Sequence, residues 1–498
     1  MEWTHNTAAS DAHKGLNYVT SFSSRIHTAL KNPKLRLALD GNYTRWRERR
    51  TASFAALPQP DDVRDRARAI RIEALTHLDQ YLVQLEANVK ANGGAVHWAK
   101  DAQEANRIVE RIIVSQKPKG LLVAKSKSML SEEIHLNAHL EKSGLKVVET
   151  DLGEWIVQLR GETPSHLTAP AIHLRREDVA ELFEKHLGLP RTDDVPTLIN
   201  AARQTLRQTF INADVGISGV NFGVAETGTL CIVTNEGNGR LVTSIPKVHI
   251  ALMGIERIVP TMRDLEIMIR VLARSGTGQK ITTYTNLITG ARRPEDPDGP
   301  EELHLVLVDN GRSRVLASDL AESLLCIRCG ACVSVCPVYR QIGGHAYNAT
   351  YMGPIGSILM PALNGVNEFG ELAHASSLCG ECRDVCPVRI DIPKMLLRVR
   401  HAHVEQTGGT RWIALAMKVW SQVTRSPRLY HFVLKISSFL VQPLARDGWI
   451  QKLPPPLNGW TRFRDFPAVA RERFSERLAK RFPSSSRRGV RGEGDLHA

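Results

Sequence analysis

The chain has 498 residues, 42% of them hydrophobic, and eight cysteines. That length suits two or three domains with a sizeable core, and the ordinary apolar content excludes a disordered or fibrous protein. The net charge of +13 is lopsided: from Asp391 onward 20 Lys and Arg face 8 Asp and Glu, a local excess of +12, so a basic tail on a nearly neutral body speaks for docking to an anionic membrane or an acidic partner and against nucleic acid.

The N-terminus, MEWTHNTAASDAHKG, lacks the basic and apolar regions of a secretory signal. No run of about 18 apolar residues marks a membrane span. The expected location is cytoplasmic, or peripheral to the inner face of the membrane.

In chain order, residues 1–60 read as an Arg-rich helical segment. Residues 63–92 read as one long amphipathic helix, with Val63, Ala67, Ile70, Ala74, Leu78 and Leu85 at helical spacing and Gly93-Gly94 as its stop. Short apolar runs, AVHWA, GLLVAKS and KVVETD, then alternate with the helical stretches DAQEANRIVERIIVSQ and SEEIHLNAHLEKSG. This is βαβ patterning and implies a largely parallel, covered sheet. A helical hairpin follows over 177–213. The β-rich runs TLCIVTNE, HIALMGIERIV, KITTYTNLI and ELHLVLVDN come next, with the helix TMRDLEIMIRVLARSG among them. The α/β domain is expected over 61–312, and Cys231 inside it reads as a buried, inert thiol.

The remaining seven cysteines fall in two segments, CIRCGACVSVCPV and SSLCGECRDVCPV. The first is the bacterial ferredoxin run, in which three thiolates hold one cluster and the fourth reaches across to the other. Zinc sites usually show two separated pairs instead. Crossing over assigns Cys326, Cys329, Cys332 and Cys386 to cluster 1, and Cys336, Cys379 and Cys382 to cluster 2. The position of the eighth thiolate is Ser376. Two 4Fe-4S clusters are expected, the second being either a three-iron cluster or one with a non-cysteine fourth ligand. A Ser376 that merely caps a helix is the plainer alternative. The ferredoxin domain is expected over 313–403 and a basic, aromatic-rich region over 404–498, which includes Trp412, Trp420, Trp449 and Trp460.

The α/β segment has no G-x-G-x-x-G fingerprint and no phosphate loop. Lys125 and Lys127 at the end of one predicted strand, with Glu226 and Asn235 at the two ends of another, are the candidates for a ligand pocket. No catalytic residue stands out.

With these residues in view, the sequence resembles the lactate utilization protein B family, through KSKSM-x-SEEI-x-LN, ETDLGE-x-I-x-QL, AETGTL, CIRCGAC-x3-CPVY and SLCG-x-C-x3-CPV. The resemblance covers nearly the whole chain. It implies an α/β lactate-utilization domain akin to isomerase and CoA-transferase folds, a helical two-cluster ferredoxin domain and a family-specific C-terminal region. It also implies a serine in place of the first cysteine of the second motif. The implied role is non-catalytic electron transfer during oxidation of L-lactate to pyruvate, alongside other subunits of the lactate-utilization system. The alternative is a self-sufficient 2-hydroxy-acid or amino-acid dehydrogenase using the α/β pocket.

Overall fold

The computed structural model describes residues 20–116, 122–409 and most of 411–481. The tail from Phe482, part of the expected basic region, lies outside the described residues. The described residues up to Thr407 form one compact unit and those from Gly408 another.

The first unit is built on a six-stranded parallel sheet in the order β1-β10-β7-β4-β2-β3. Its strands are β1 (Ala95–Ala99), β2 (Leu122–Lys125), β3 (Lys146–Glu149), β4 (Val215–Gly219), β7 (Val248–Gly254) and β10 (Glu302–Val308). The central strands are buried on both faces, as their unbroken apolar runs require. Helices 102–115 and 136–142 pack on one side through Ile108, Val109, Ile112, Ile113 and Leu140. The hairpin Arg176–Leu187 and Val195–Asn212 packs through Phe183, Leu198 and Leu206. A second sheet, ordered β8-β5-β6-β9, holds β5 (Phe222–Val224), β6 (Thr229–Thr234), β8 (Ile258–Val259) and β9 (Tyr284–Ile288). The sequence pattern does not separate it from the first. Cys231 sits in β6, fully buried, and burial pushes its thiol up to about 12.

Two expected helices are each broken in two. The long helix becomes Pro60–Thr76 and Leu78–Ala91, because His77 leaves helical geometry (φ −113°, ψ 35°). The helix expected over 131–144 becomes Met129–Glu133 and Leu136–Lys142, with His135 in the left-handed region at φ 53°.

The cysteine segments fold as short helical turns around the buried helix Gly353–Asn364. One apolar core runs through from the α/β part, with Leu85, Ile258 and Met268, to Val333, Ile355, Leu359 and Leu396. The two parts therefore share their interior. The second unit contains the helices Arg411–Arg425 and Pro427–Val441, the latter burying none of its side chains. Among the described residues no helix is long and apolar enough to cross a membrane.

Candidate functional site

Cys326, Cys329, Cys332 and Cys386 line a small cavity of about 20 Å³, closed by Ile355, Val388, Ile390 and Ile392. All four are free and buried. Burial pushes Cys329 up to about 12, and its neighbours Cys326 and Cys386 add to the shift. Burial and the same crowding, with Cys382 among the neighbours, drive Cys332 well above the ordinary range. Burial raises Cys386 as well, and thiols that hold their protons this tightly ionise together only against a strong cation, so the donor set suits a soft, thiolate-bound metal group. Cys336, Cys379 and Cys382 form the second group. Cys382 is raised to about 12 by burial first and Cys336 next, and Cys336 feels Cys379. Cys379 alone of the seven is exposed. The fourth cysteine of each motif thus lies with the first cysteines of the other.

The two motifs repeat in detail. Gly330 and Gly380 follow Cys329 and Cys379 at φ 75° and 89°, a conformation open to glycine without strain. Arg328 and Leu378 stand at φ 59° and 54°. The Arg328 N–H donates to Cys326 Sγ at 3.4 Å, and the Leu378 N–H donates to Ser376 Oγ at 3.1 Å. Ser376 therefore makes in its turn the contact that Cys326 makes in the first.

Arginines hold both cysteine turns by their carbonyls. Arg64, Arg68 and Arg71 recur at spacings of four and three, one face of the helix Pro60–Thr76. Arg64 donates to the carbonyls of Asp384 (2.6 Å) and Cys386 (2.8 Å), and Arg68 to that of Arg389 (2.7 Å). Arg50 reaches Val385 O at 2.5 Å. Arg71, wholly buried, donates to Leu324 O (2.9 Å), and Arg257 to Cys326 O (3.1 Å). Burial and then Arg257 lower Arg71 to about 9, which leaves it charged at neutral pH. The arrangement places buried positive charge beside four prospective thiolates and fixes the turns that carry them. Sequence reading took residues 1–60 as Arg-rich and the helix carrying Arg64, Arg68 and Arg71 as amphipathic, and assigned these arginines no role; the four-three spacing was the available signal.

A larger cavity of about 360 Å³ opens at the carboxyl ends of β2, β4 and β7, with Cys329 in its wall. Of the four residues expected to share a pocket, Lys127 and Asn235 line it. Lys125 and Glu226 do not, which corrects the expectation for both. Lys125 points into the protein, donating to Ser131 Oγ at 2.7 Å and pairing with Glu149 at 2.7 Å. Burial opposes its charge, but Glu149, Glu132 and Glu154 outweigh that and raise its pKa. Glu226 is exposed on the β5–β6 turn, where it accepts from the Met262 N–H at 3.0 Å and caps a helix start. Lys127 is bound to Glu154 at 2.5 Å, and Asn235 Oδ1 accepts from Thr283 N at 3.1 Å.

Family models match residues 82–308 as a LUD domain, 322–390 as a 4Fe-4S dicluster domain and 398–482 as lactate utilisation protein B, C-terminal. A crystal structure of a DUF162 family protein from Deinococcus radiodurans aligns over 46% of this chain and 98% of its own, at 16% identity and a TM-score of 0.27. The chain is 45% identical over 456 residues to lactate utilization protein B of Shouchella clausii, covering 91% of this chain and 96% of that protein. It is 46% identical over 457 residues to that of Geobacillus thermodenitrificans, with the same coverage. The chain belongs to the lactate utilization protein B family. As a member, it is an iron–sulfur protein with a LUD α/β domain, a dicluster domain and the family's C-terminal region. The buried thiols, their N–H···S contacts and the arginine cradle fit such a group.

Proposed function

We propose that this chain is an electron-transfer subunit of a multi-protein system that oxidises L-lactate to pyruvate. We assign cluster 1 to Cys326, Cys329, Cys332 and Cys386, and cluster 2 to Cys336, Cys379 and Cys382. The observation that carries the reading is the pairing of seven cysteines into two adjoining groups that exchange their fourth members. When bound, the clusters supply one-electron transfer. The chain's own residues fix the cysteine turns through Arg64, Arg71 and Arg257, exclude water with Ile355 and Val388, and balance the thiolate charge. Anaerobically prepared protein is expected to contain acid-labile sulfide and about seven to eight irons; zinc without sulfide would refute the reading. A self-sufficient dehydrogenase is not favoured, since Lys125 and Lys127, its candidate substrate anchors, are neutralised by Glu149 and Glu154.

Cluster 2 is the labile cluster on this reading. Ser376 occupies the seat matching Cys326, but an alkoxide is a harder, more basic ligand than a thiolate and holds iron only after deprotonation. Oxidised protein is expected to show the EPR signal of a three-iron cluster, and Ser376→Cys to suppress it. If the signal is absent after mild oxidation, or the variant leaves it unchanged, Ser376 is a turn residue and nothing more.

The basic C-terminal region is assigned to docking on an anionic membrane face. Its support is the local charge excess together with the helix Pro427–Val441, in which Phe432, Phe439 and Leu440 are exposed. Basic residues contribute about 1 kcal/mol each near such a surface. Co-sedimentation with phosphatidylglycerol vesicles is expected to fall steeply with salt; weak, salt-indifferent binding would remove the assignment.

A further inference from the structure

The order β1-β10-β7-β4-β2-β3 has one point of reversal. From β2 the chain moves outward to β3, whereas from β4 it moves the other way, to β7 and β10. Open parallel sheets take their ligands in the crevice at such a point, beyond the carboxyl ends of the strands. The 360 Å³ cavity lies there, walled by Ser126 and Lys127 after β2 and by Val220 and Asn221 after β4. Its size falls in the range of sites for drug-sized ligands, and a three-carbon acid would leave most of it empty.

Three of its lining side chains, Ser126, Asn238 and Arg328, carry a buried polar atom without a partner among the described residues. Ser126 and Asn238 are 2% and 4% exposed. Neither Ser126 Oγ nor Asn238 Oδ1 has a hydrogen-bond partner among the described residues. Buried polar atoms of this kind are rarely left unpaired, and both belong to the wall of one cavity. Cys329, from the buried cysteine group, also lines the cavity. The exposed Cys379 gives a protein partner a way to cluster 2. The four cysteines of cluster 1 are each no more than 8% exposed, and the cavity reaches one of them.

We propose that this cavity binds a flavin, with its ring system against the Cys329 wall, as the small-molecule electron partner of cluster 1. The proposal rests on the electron-transfer reading and adds the chemical class of that partner. A nicotinamide delivers hydride, which a one-electron cluster does not accept. A prenylated quinone needs an apolar path for its tail, but the lining of this cavity includes Asp151, Asn235 and Glu236. A flavin transfers electrons singly, and its ring pairs an apolar edge with an edge of hydrogen-bond donors and acceptors. That matches a wall in which Leu167 and Leu272 stand with Ser126 and Asn238. The two-electron-reduced flavin gives its electrons to cluster 1 one at a time, and the first passes on to cluster 2. One flavin is thereby oxidised, each cluster is reduced by one electron, and the two protons leave through the open mouth.

The test uses the full chain with its clusters loaded and verified by EPR, titrated anaerobically with FMN and with riboflavin while flavin fluorescence is followed. Stoichiometric binding is expected, with Ser126→Leu and Asn238→Leu each weakening it at least about tenfold without changing iron content or cluster EPR. Photoreduced FMN is expected to reduce the clusters of the wild type faster than those of either variant. Absence of stoichiometric binding to protein with intact clusters would overturn the proposal and leave the electron-transfer reading standing, as would binding indifferent to both substitutions. Protein without any cluster would strike the electron-transfer reading instead, a result read from iron and sulfide without reference to flavin.

Discussion

Cys326→Ser is expected to remove about half of the bound iron and sulfide, roughly four of about eight irons, and to spare the second cluster. Cys326 shares its cavity with Cys329, Cys332 and Cys386, and its carbonyl is held by Arg257 at 3.1 Å. Serine in that seat offers a ligand that must first lose a high-pKa proton, with the charges of Arg71, Arg257 and Arg328 as compensation nearby. Cys336→Ser is the sharper comparison. Cys336 stands four residues after Cys332 in the same motif, yet its neighbours are Cys379 and Cys382. Its loss is expected to damage cluster 2 and leave cluster 1 intact. EPR of the reduced variants distinguishes the two lesions; the same cluster lost in both would disprove the exchange of fourth ligands.

Arg312→Met is expected to cost about 3–5 kcal/mol of stability, the usual result of stranding a buried charge. Arg312, 2% exposed, donates to both carboxylate oxygens of Glu133 at 2.8 Å and to Glu256 at 2.6 Å. Tyr351, from the ferredoxin part, donates to Glu133 at 2.6 Å, and Arg328 pairs with Glu256 at 3.4 Å. The network therefore ties the ends of the sheet strands to the cysteine turns, and truncation leaves two buried carboxylates with too few partners. Urea unfolding would register the loss; a change below about 1 kcal/mol would mean the site relaxes or admits water. The same network sets an acid limit. Burial opposes ionisation of Glu256, but Arg312, Arg328 and Arg257 outweigh it and lower its pKa from 4.5 to about 2. Its contribution is complete above pH 4.5 and is lost as pH falls towards 2.

Much of this was legible in one dimension. Strands β1, β3, β7 and β10 are short apolar runs between helical periods, and the cysteine spacing carries its own crossing rule. What escaped depends on contacts distant in sequence. Lys125 and Lys127 look like ligand anchors at a strand end, but Glu149 and Glu154 arrive beside them from the next strand–helix unit. Glu226 looks like a pocket residue until the helix start at Met262 is brought against it. The helix breaks at His77 and His135 carry neither glycine nor proline, so local signals pass over them. The unpaired atoms of Ser126 and Asn238 are visible only once 112 residues of chain bring them to one cavity. The likeness of Ser376 to Cys326 was visible as an alignment, whereas its shared turn geometry needed coordinates.

The central claim is that this chain conducts electrons from lactate oxidation through its two clusters without oxidising lactate itself. The most direct measurement is EPR of the anaerobically purified protein, alone and together with the subunits that copurify with it, before and after addition of L-lactate. The account predicts that lactate produces the reduced-cluster signals in the complex and none in the isolated chain, and that Cys326→Ser interrupts electron flow through the complex. Reduction of the isolated chain by lactate, or clusters in the complex that remain oxidised while pyruvate accumulates, would contradict it.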